Sequence, residues 1–239
     1  MAEATGVQMS DYPVTGATAE HHHEVDAPNS PPPKAGLKKY YMEYTTSRLN
    51  ARLRLGSMTG PVEYYLQTKI TLKAPQILLR RGDNKKAPVV AFCKLQNLSR
   101  HGLLGRGDWE HQPPEELVWE ELHRDKNVLR RSDYQFGTAE GSPSGTRAEF
   151  SWRKDREKIN RSVFDCVNEQ GNIVARMLSG GAFNFNRAGD IDVAEGLSQG
   201  LEEFLVVSAA AIWAYEALAY QSLLQGFEKE EKEKGKKTN

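Results

Sequence analysis

Between Leu37 and Asp192 apolar and polar residues alternate with a period of two, interrupted at short intervals by turn-forming residues. The clearest run is Val62–Leu72. There Val62, Tyr64, Leu66, Thr68, Ile70 and Leu72 share one face, and Glu63, Tyr65, Gln67, Lys69 and Thr71 the other. Such alternation predicts a half-buried strand, because successive side chains of an extended backbone point to opposite faces. Ala51–Leu55 repeats the pattern with Arg52 and Arg54 outward, Arg147–Lys154 puts Phe150 and Trp152 together, and Phe183–Asn186 is a shorter run of the same kind. Ile77–Phe92 reads as a hairpin around the polar GDNKK turn, and Ser162–Leu178 as a second one around Asn168–Gly171. Glu140–Gly145 is a further turn, between runs at Asp133–Phe136 and Arg147–Phe150. Leu98–Gln112, rich in glycine and without period, reads as a long surface loop. The count is about ten or eleven strands, the number of a closed barrel or a sandwich.

The pattern then changes. Glu202–Leu224 is an almost unbroken apolar run with helical composition, which predicts a helix over about residues 200–225. Ser198 or Gly200 can cap it, and Glu202 and Glu203 lie in its first turn, where the helix dipole favours anions. Phe204–Leu224 contains 21 residues, enough to cross a hydrocarbon core of about 30 Å. Against a membrane span stand Glu216, which costs roughly 2.5–3.5 kcal/mol on insertion scales, and six alanines, which suit close protein neighbours better than lipid. A helix buried among the strands is the favoured reading. A membrane anchor and a surface helix paired with a partner are the alternatives.

Composition narrows the class. Lysine plus arginine and aspartate plus glutamate balance at 32 each, so there is no basic excess of the kind nucleic-acid binders carry. The N-terminal residues lack both a charged-then-apolar secretory signal and an arginine-rich transit pattern, which makes the cytoplasm the expected compartment. Cys93 and Cys166 sit in apolar runs without metal-site spacing, as expected of free, buried thiols in a reducing compartment. Residues 1–36 are aperiodic, end in NSPPPKAG and read as a disordered tail. Residues 37–226 read as the folded domain, and 227–239 as a charged C-terminal tail.

The segment Phe164–Glu216 resembles the end of tubby C-terminal-like domains, the superfamily shared with LURP-one-related proteins and phospholipid scramblases, and within it the small fungal members most. The likeness rests on a GNIVA strand after a hairpin, a GDIDV strand, an apolar helix opening with acidic residues, and Trp152 in FSWRKD ahead of the hairpin. It extends over about residues 37–225. The resemblance implies a mainly β fold: a closed antiparallel barrel of about twelve strands wrapped around a C-terminal hydrophobic helix. It also implies a non-enzymatic module whose surface basic residues bind phosphoinositide head groups, and makes Arg80, Arg81, Lys85 and Lys86 the head-group candidates. The cysteine-rich palmitoylation and calcium-binding segments of scramblase-like members have no counterpart in this sequence.

Other strings carry less chemistry than their letters suggest. Arg81–Gly82–Asp83 and Arg106–Gly107–Asp108 read as turns built on glycine. His123–Arg124–Asp125 lacks the glycine-rich loop, strand lysine and DFG that phosphoryl transfer needs. Gly180–Gly181, Gly102–Gly105 and Gly196 form no phosphate-binding loop. His21–His23 could hold a transition metal only weakly, and His101, His111 and His123 are spaced too loosely for a metal site. No nucleophile elbow or activated cysteine is present. The expectation is therefore a monomeric binding module without catalytic residues, cofactor, metal or nucleic-acid partner. The resemblance implies that such a module recognises anionic phospholipid or a protein partner at a membrane surface. A protein anchored in the membrane by its helix and a barrel enzyme with an unrecognised site are the alternatives.

Overall fold

In the computed structural model the alternating runs form the twelve strands of one closed antiparallel barrel. Residues 36–216 are described, apart from 47–48, 70, 72, 97–100, 126–132, 143, 158–161 and 180–186. In chain order the strands are β1 (Leu37–Tyr44), β2 (Ala51–Leu55), β3 (Val62–Thr68), β4 (Ile77–Arg81), β5 (Val89–Leu95), β6 (Gly102–Arg106), β7 (Val118–Arg124), β8 (Tyr134–Thr138), β9 (Ala148–Lys154), β10 (Val163–Asn168), β11 (Ile173–Ser179) and β12 (Arg187–Ala194). Each pairs with its neighbours in sequence, and β12 closes onto β1 with Leu37 opposite Ala194. Among the described residues one α-helix, α1, follows the strands, over residues 199–216. The strands alternate in direction. The mouth where β1 begins and β12 ends therefore also carries the turns after β2, β4, β6, β8 and β10, and α1 enters the barrel there.

The pleat turns one apolar row of each strand inward. Leu53, Tyr64, Leu66, Leu79 and Trp152 all belong to a single buried core. A barrel of about eight strands can be filled by its own side chains, whereas a wider one leaves a lumen. Here α1 fills it, and every residue from Phe204 to Ile212 has no solvent exposure. Burying each of Phe204, Leu205, Val206, Val207 and Ile212 contributes about 1.5–3 kcal/mol. Ala209, Ala210 and Ala211 keep the helix narrow enough for strands on all sides. Among the described residues no helix is long and apolar enough to cross a membrane.

Few polar groups enter this interior, and Trp152 and Ser208 show how they are satisfied. Trp152 Nε1 donates to Ser208 Oγ at 3.0 Å, and Ser208 in turn donates to the Leu205 carbonyl at 2.9 Å. Ser198 caps α1, its Oγ accepting from the Leu201 amide at 3.3 Å. Gly200 is needed for space instead. A Cβ there would collide with the Glu140 carboxylate, which lies across the first turn of the helix. At the far end Glu216 pairs with Lys154 at 2.7 Å, so the acid that argued against a lipid span has a protein partner near the barrel's other opening.

Two expectations are corrected. The Val62–Leu72 run is strand only as far as Thr68, where β3 ends, and the Leu98–Gln112 loop contains a strand. Within Leu98–Gln112, residues 102–106 are strand β6, paired with both β5 and β7. Its glycines hid the alternation because they make room for neighbours. The Phe92 ring occupies the space a Cβ on Gly105 would need, and Cys93 Sγ lies 3.2 Å from the corresponding position on Gly102. The Phe183–Asn186 run, Gly180–Gly181, His21–His23, the N-terminal tail up to residue 35, the continuation of the helix beyond 216 and the C-terminal tail lie outside the described residues.

Two measurements probe the core. A chain ending at Gly200 loses the element that fills the lumen, so its β-sheet circular dichroism and cooperative melt should disappear. Retention of both would refute the filled-barrel account. Ser208→Ala should cost about 1–3 kcal/mol in urea unfolding, because it strands a buried indole N–H.

Candidate functional site

The pleat also decides where the basic residues go. Along β4, Ile77 and Leu79 face the core, so Arg81 falls on the inner face at the mouth, while Leu78 and Arg80 fall on the outer wall. Arg80 is only 4% exposed. Its guanidinium donates to Gln67 Oε1 at 3.0 Å, to the Ala87 carbonyl at 2.8 Å and to both Glu110 oxygens at 2.8 Å. Arg81 instead reaches down to the buried Glu203 of α1. Lys85 and Lys86 are exposed on the β4–β5 turn. Asn84 shapes that turn, its Oδ1 accepting from the Lys86 amide at 2.8 Å and its carbonyl from the Ala87 amide at 3.2 Å. The four head-group candidates are thus one outer-wall anchor, one arginine held at the mouth, and two lysines offered to solvent.

Lys38 and Lys39 divide in the same way. Lys38 turns inward to Glu202 at 3.0 Å, and Lys39 outward to Asp190 at 3.6 Å and Asp192 at 3.9 Å. Lys39 belongs to a row of alternating charges across the outer faces of β9, β10, β11, β12 and β1. The register sets Arg153 opposite Asp165, Asp165 opposite Arg176, Arg176 opposite Asp192, and Asp192 opposite Lys39. Asp165 accepts from Arg176 at 2.5 and 3.1 Å. Burial pushes the Asp192 carboxyl upward, and Lys39 works against it. Five of the chain's charged residues stand in this row, where opposite charges face one another across neighbouring strands.

The mouth holds a dense polar cluster. Glu202 accepts from Lys38 Nζ at 3.0 and 3.2 Å, from the Tyr40 hydroxyl and from the Tyr64 hydroxyl at 3.4 Å. Glu203 meets Arg81 and, at 3.5 Å, Arg106 Nε. Arg106 also donates to Glu140 at 2.8 Å. Burial pushes both tyrosine hydroxyls above their ordinary range, and the Glu202 charge adds to the effect, so they stay protonated donors. Burial likewise raises the Glu203 carboxyl and outweighs the two arginines. Sequence alone marked Glu202 and Glu203 only as first-turn anions. Their partners are as much as 164 residues away, and no local spacing could have paired them.

On the outer wall, Phe92, Trp109 and Trp119 form an aromatic cluster with centroids 5.0–5.7 Å apart, over Leu78 and Val89. The loop after β6 is folded onto it and fastened by the contacts of Glu110 with Arg80 and Lys69. Burial tends to raise the Glu110 carboxyl, but these hydrogen bonds prevail and hold it below the ordinary range. Its tether is therefore present at neutral pH and is lost as pH falls through that depressed value.

Cys93 and Cys166 are fully buried, and burial pushes both thiols well above the range in which a thiolate forms. His101 Nδ1 accepts from the Arg124 amide at 2.9 Å, His111 meets Asp108 at 2.8 Å, and His123 meets Glu121 at 2.6 Å. Among the described residues no group of three or more His, Cys, Asp or Glu could hold a metal ion. Both RGD strings lie at turns, with Gly82 at φ 140° and Gly107 at φ 116°.

Fold and site together define a closed antiparallel barrel plugged by a central helix, with a charge-locked mouth. Protein-family models, curated proteins and solved structures were each compared with the chain, and none matches it.

Arg80→Ala should free the loop after β6. The expected loss is about 1–3 kcal/mol, reduced from a fully buried pair because Glu110 is partly exposed. A red shift of Trp109 fluorescence should accompany it. Unchanged emission and stability would show that the loop holds without the arginine.

Proposed function

We propose that the protein is a non-enzymatic binding module that recognises anionic phospholipid head groups at a cytoplasmic membrane surface through the β4–β5 turn. The observation that carries this reading is the filled lumen. With α1 occupying the space an interior ligand or substrate would need, recognition falls to the outer surface. On that surface the β4–β5 turn presents Lys85 and Lys86 side by side in a turn ordered by Asn84. Arg80, anchored beneath by Gln67, Ala87 and Glu110, fixes the strand from which the turn springs. The resemblance to tubby-like domains points the same way.

The chemistry sets the scale. Each lysine or arginine near an anionic surface contributes about 1 kcal/mol and acts within a Debye length. Two lysines give weak, reversible binding that salt abolishes, suited to a peripheral protein gathering further contacts. The test is sedimentation with neutral vesicles and with vesicles containing phosphoinositide. The wild-type chain should pellet with the anionic vesicles only, and less as salt rises. Lys85→Glu with Lys86→Glu should abolish the difference. Equal recovery on both vesicle types would overturn the lipid reading and turn attention to a protein partner.

A further inference from the structure

Arg81 stands beside the lysine-bearing turn yet is committed to the barrel. We propose that Glu203 is an acid-operated latch, withholding Arg81 from the β4–β5 turn when ionised and releasing it to bind anionic lipid when protonated. This rests on the reading of that turn as the head-group surface and adds its regulation.

The pair straddles the boundary between core and water. The Arg81 side chain is 42% exposed and that of Glu203 is 1% exposed. Removing the charge from Glu203 turns a charge-assisted bond into a weaker neutral one. Arg81 then keeps neutral partners, the Gln199 side-chain oxygen of α1 among them at 3.0 Å, and can exchange these for water or a phosphate, whereas Glu203, on the buried first turn of α1, cannot follow. The groups facing Glu203 determine who is released. Arg106 of β6 keeps Glu140, from the β8–β9 turn, at 2.8 Å. Glu202, next along α1, is held by Lys38 and Tyr40 of β1 and by Tyr64 of β3. Tyr64 adds a neutral hydroxyl on the β3 side, and Glu63 on the same strand contributes negative potential at Arg81. Only Arg81 loses its principal carboxylate partner while the rest of the mouth stays closed.

The sign of the titration supports a switch that leaves the fold intact. Burial raises the Glu203 carboxyl in the folded state, with Arg81 and Arg106 opposing. The folded protein therefore takes up this proton more readily than the unfolded chain. The stability linked to Glu203 is greatest in acid and declines as pH rises through its raised folded value. Acid reaching this residue opens the latch without unfolding the barrel through it.

The experiment measures binding to phosphatidylserine vesicles, whose charge varies little across the range, at about pH 8 and about pH 5. One added cation predicts a rise of about fivefold on acidification of the wild-type chain. Glu203→Gln should bind at the higher pH as the wild type does in acid, with no loss of melting temperature. Arg81→Gln should lack the rise. A Glu203→Gln chain that matches wild type at the higher pH, or an acid rise that persists in Arg81→Gln, overturns the latch. Carboxyl ¹³C titration of Glu203 and the Arg81 Nε–H signal give a lipid-free readout. A carboxyl that stays ionised, with Arg81 still bonded in acid, refutes the latch whatever the vesicles show. Release of Arg81 in a protein that binds no vesicles at either pH refutes the head-group reading, and with it the latch's role in binding.

Discussion

The structure depends on the mutual burial of α1 and the twelve strands. Neither element stands without the other. The lumen of a barrel this wide is more than inward side chains can fill, and an empty one would forfeit the dispersion contacts that hold interiors together. The helix, apolar on nearly every side, would in water expose the very surface it now hides. The polar atoms carried inside show how close the fit is. Ser208 is placed where the Trp152 indole needs an acceptor, and its own hydroxyl returns to the Leu205 carbonyl. With the core assigned to packing, the solvent-facing polar groups lie on the rim and the outer wall.

The second constraint is the pleat, which splits neighbours. Lys38 and Lys39, like Arg80 and Arg81, look like doublets in the sequence and serve opposite sides of the sheet. One member of each doublet enters the mouth and meets a carboxylate of α1, while the other joins the outer wall. A basic cluster counted along a strand thus overstates by about a factor of two the charge any one surface receives. A turn is exempt from this rule, which is why Lys85 and Lys86 do share a surface.

This distinction explains how far the sequence could be read. Alternation and turn residues located most strands, and the acid and alanines of the last segment favoured a buried helix over a span. The strand most clearly missed, β6, was hidden by glycines whose purpose emerges only in three dimensions, where Phe92 lies over Gly105. The turn lysines were legible because a turn is local. The mouth was not, since Lys38, Tyr40, Tyr64, Arg81 and Arg106 come from four strands and converge only after closure. By sequence Gly200 is a possible cap; Ser198 takes that role, and the Arg106–Glu140 pair crossing over Gly200 gives the reason for a glycine there.

Two carboxylates at the entrance of an apolar lumen are costly to desolvate, and replacing such buried pairs with apolar groups is often neutral or stabilising. Their place here is better understood as orientation than as net stability. A nearly featureless helix could slide or rotate in its barrel with little change in apolar burial. Glu202 binds β1 and β3, whereas Glu203 binds β4 and β6, so adjacent helical residues are tied to successive arcs of the rim. Rotation of α1 by one residue would break both sets together. Lys154 on Glu216 at the other opening fixes the depth. The charged groups thus specify one register for a helix that hydrophobic burial alone would hold but not index.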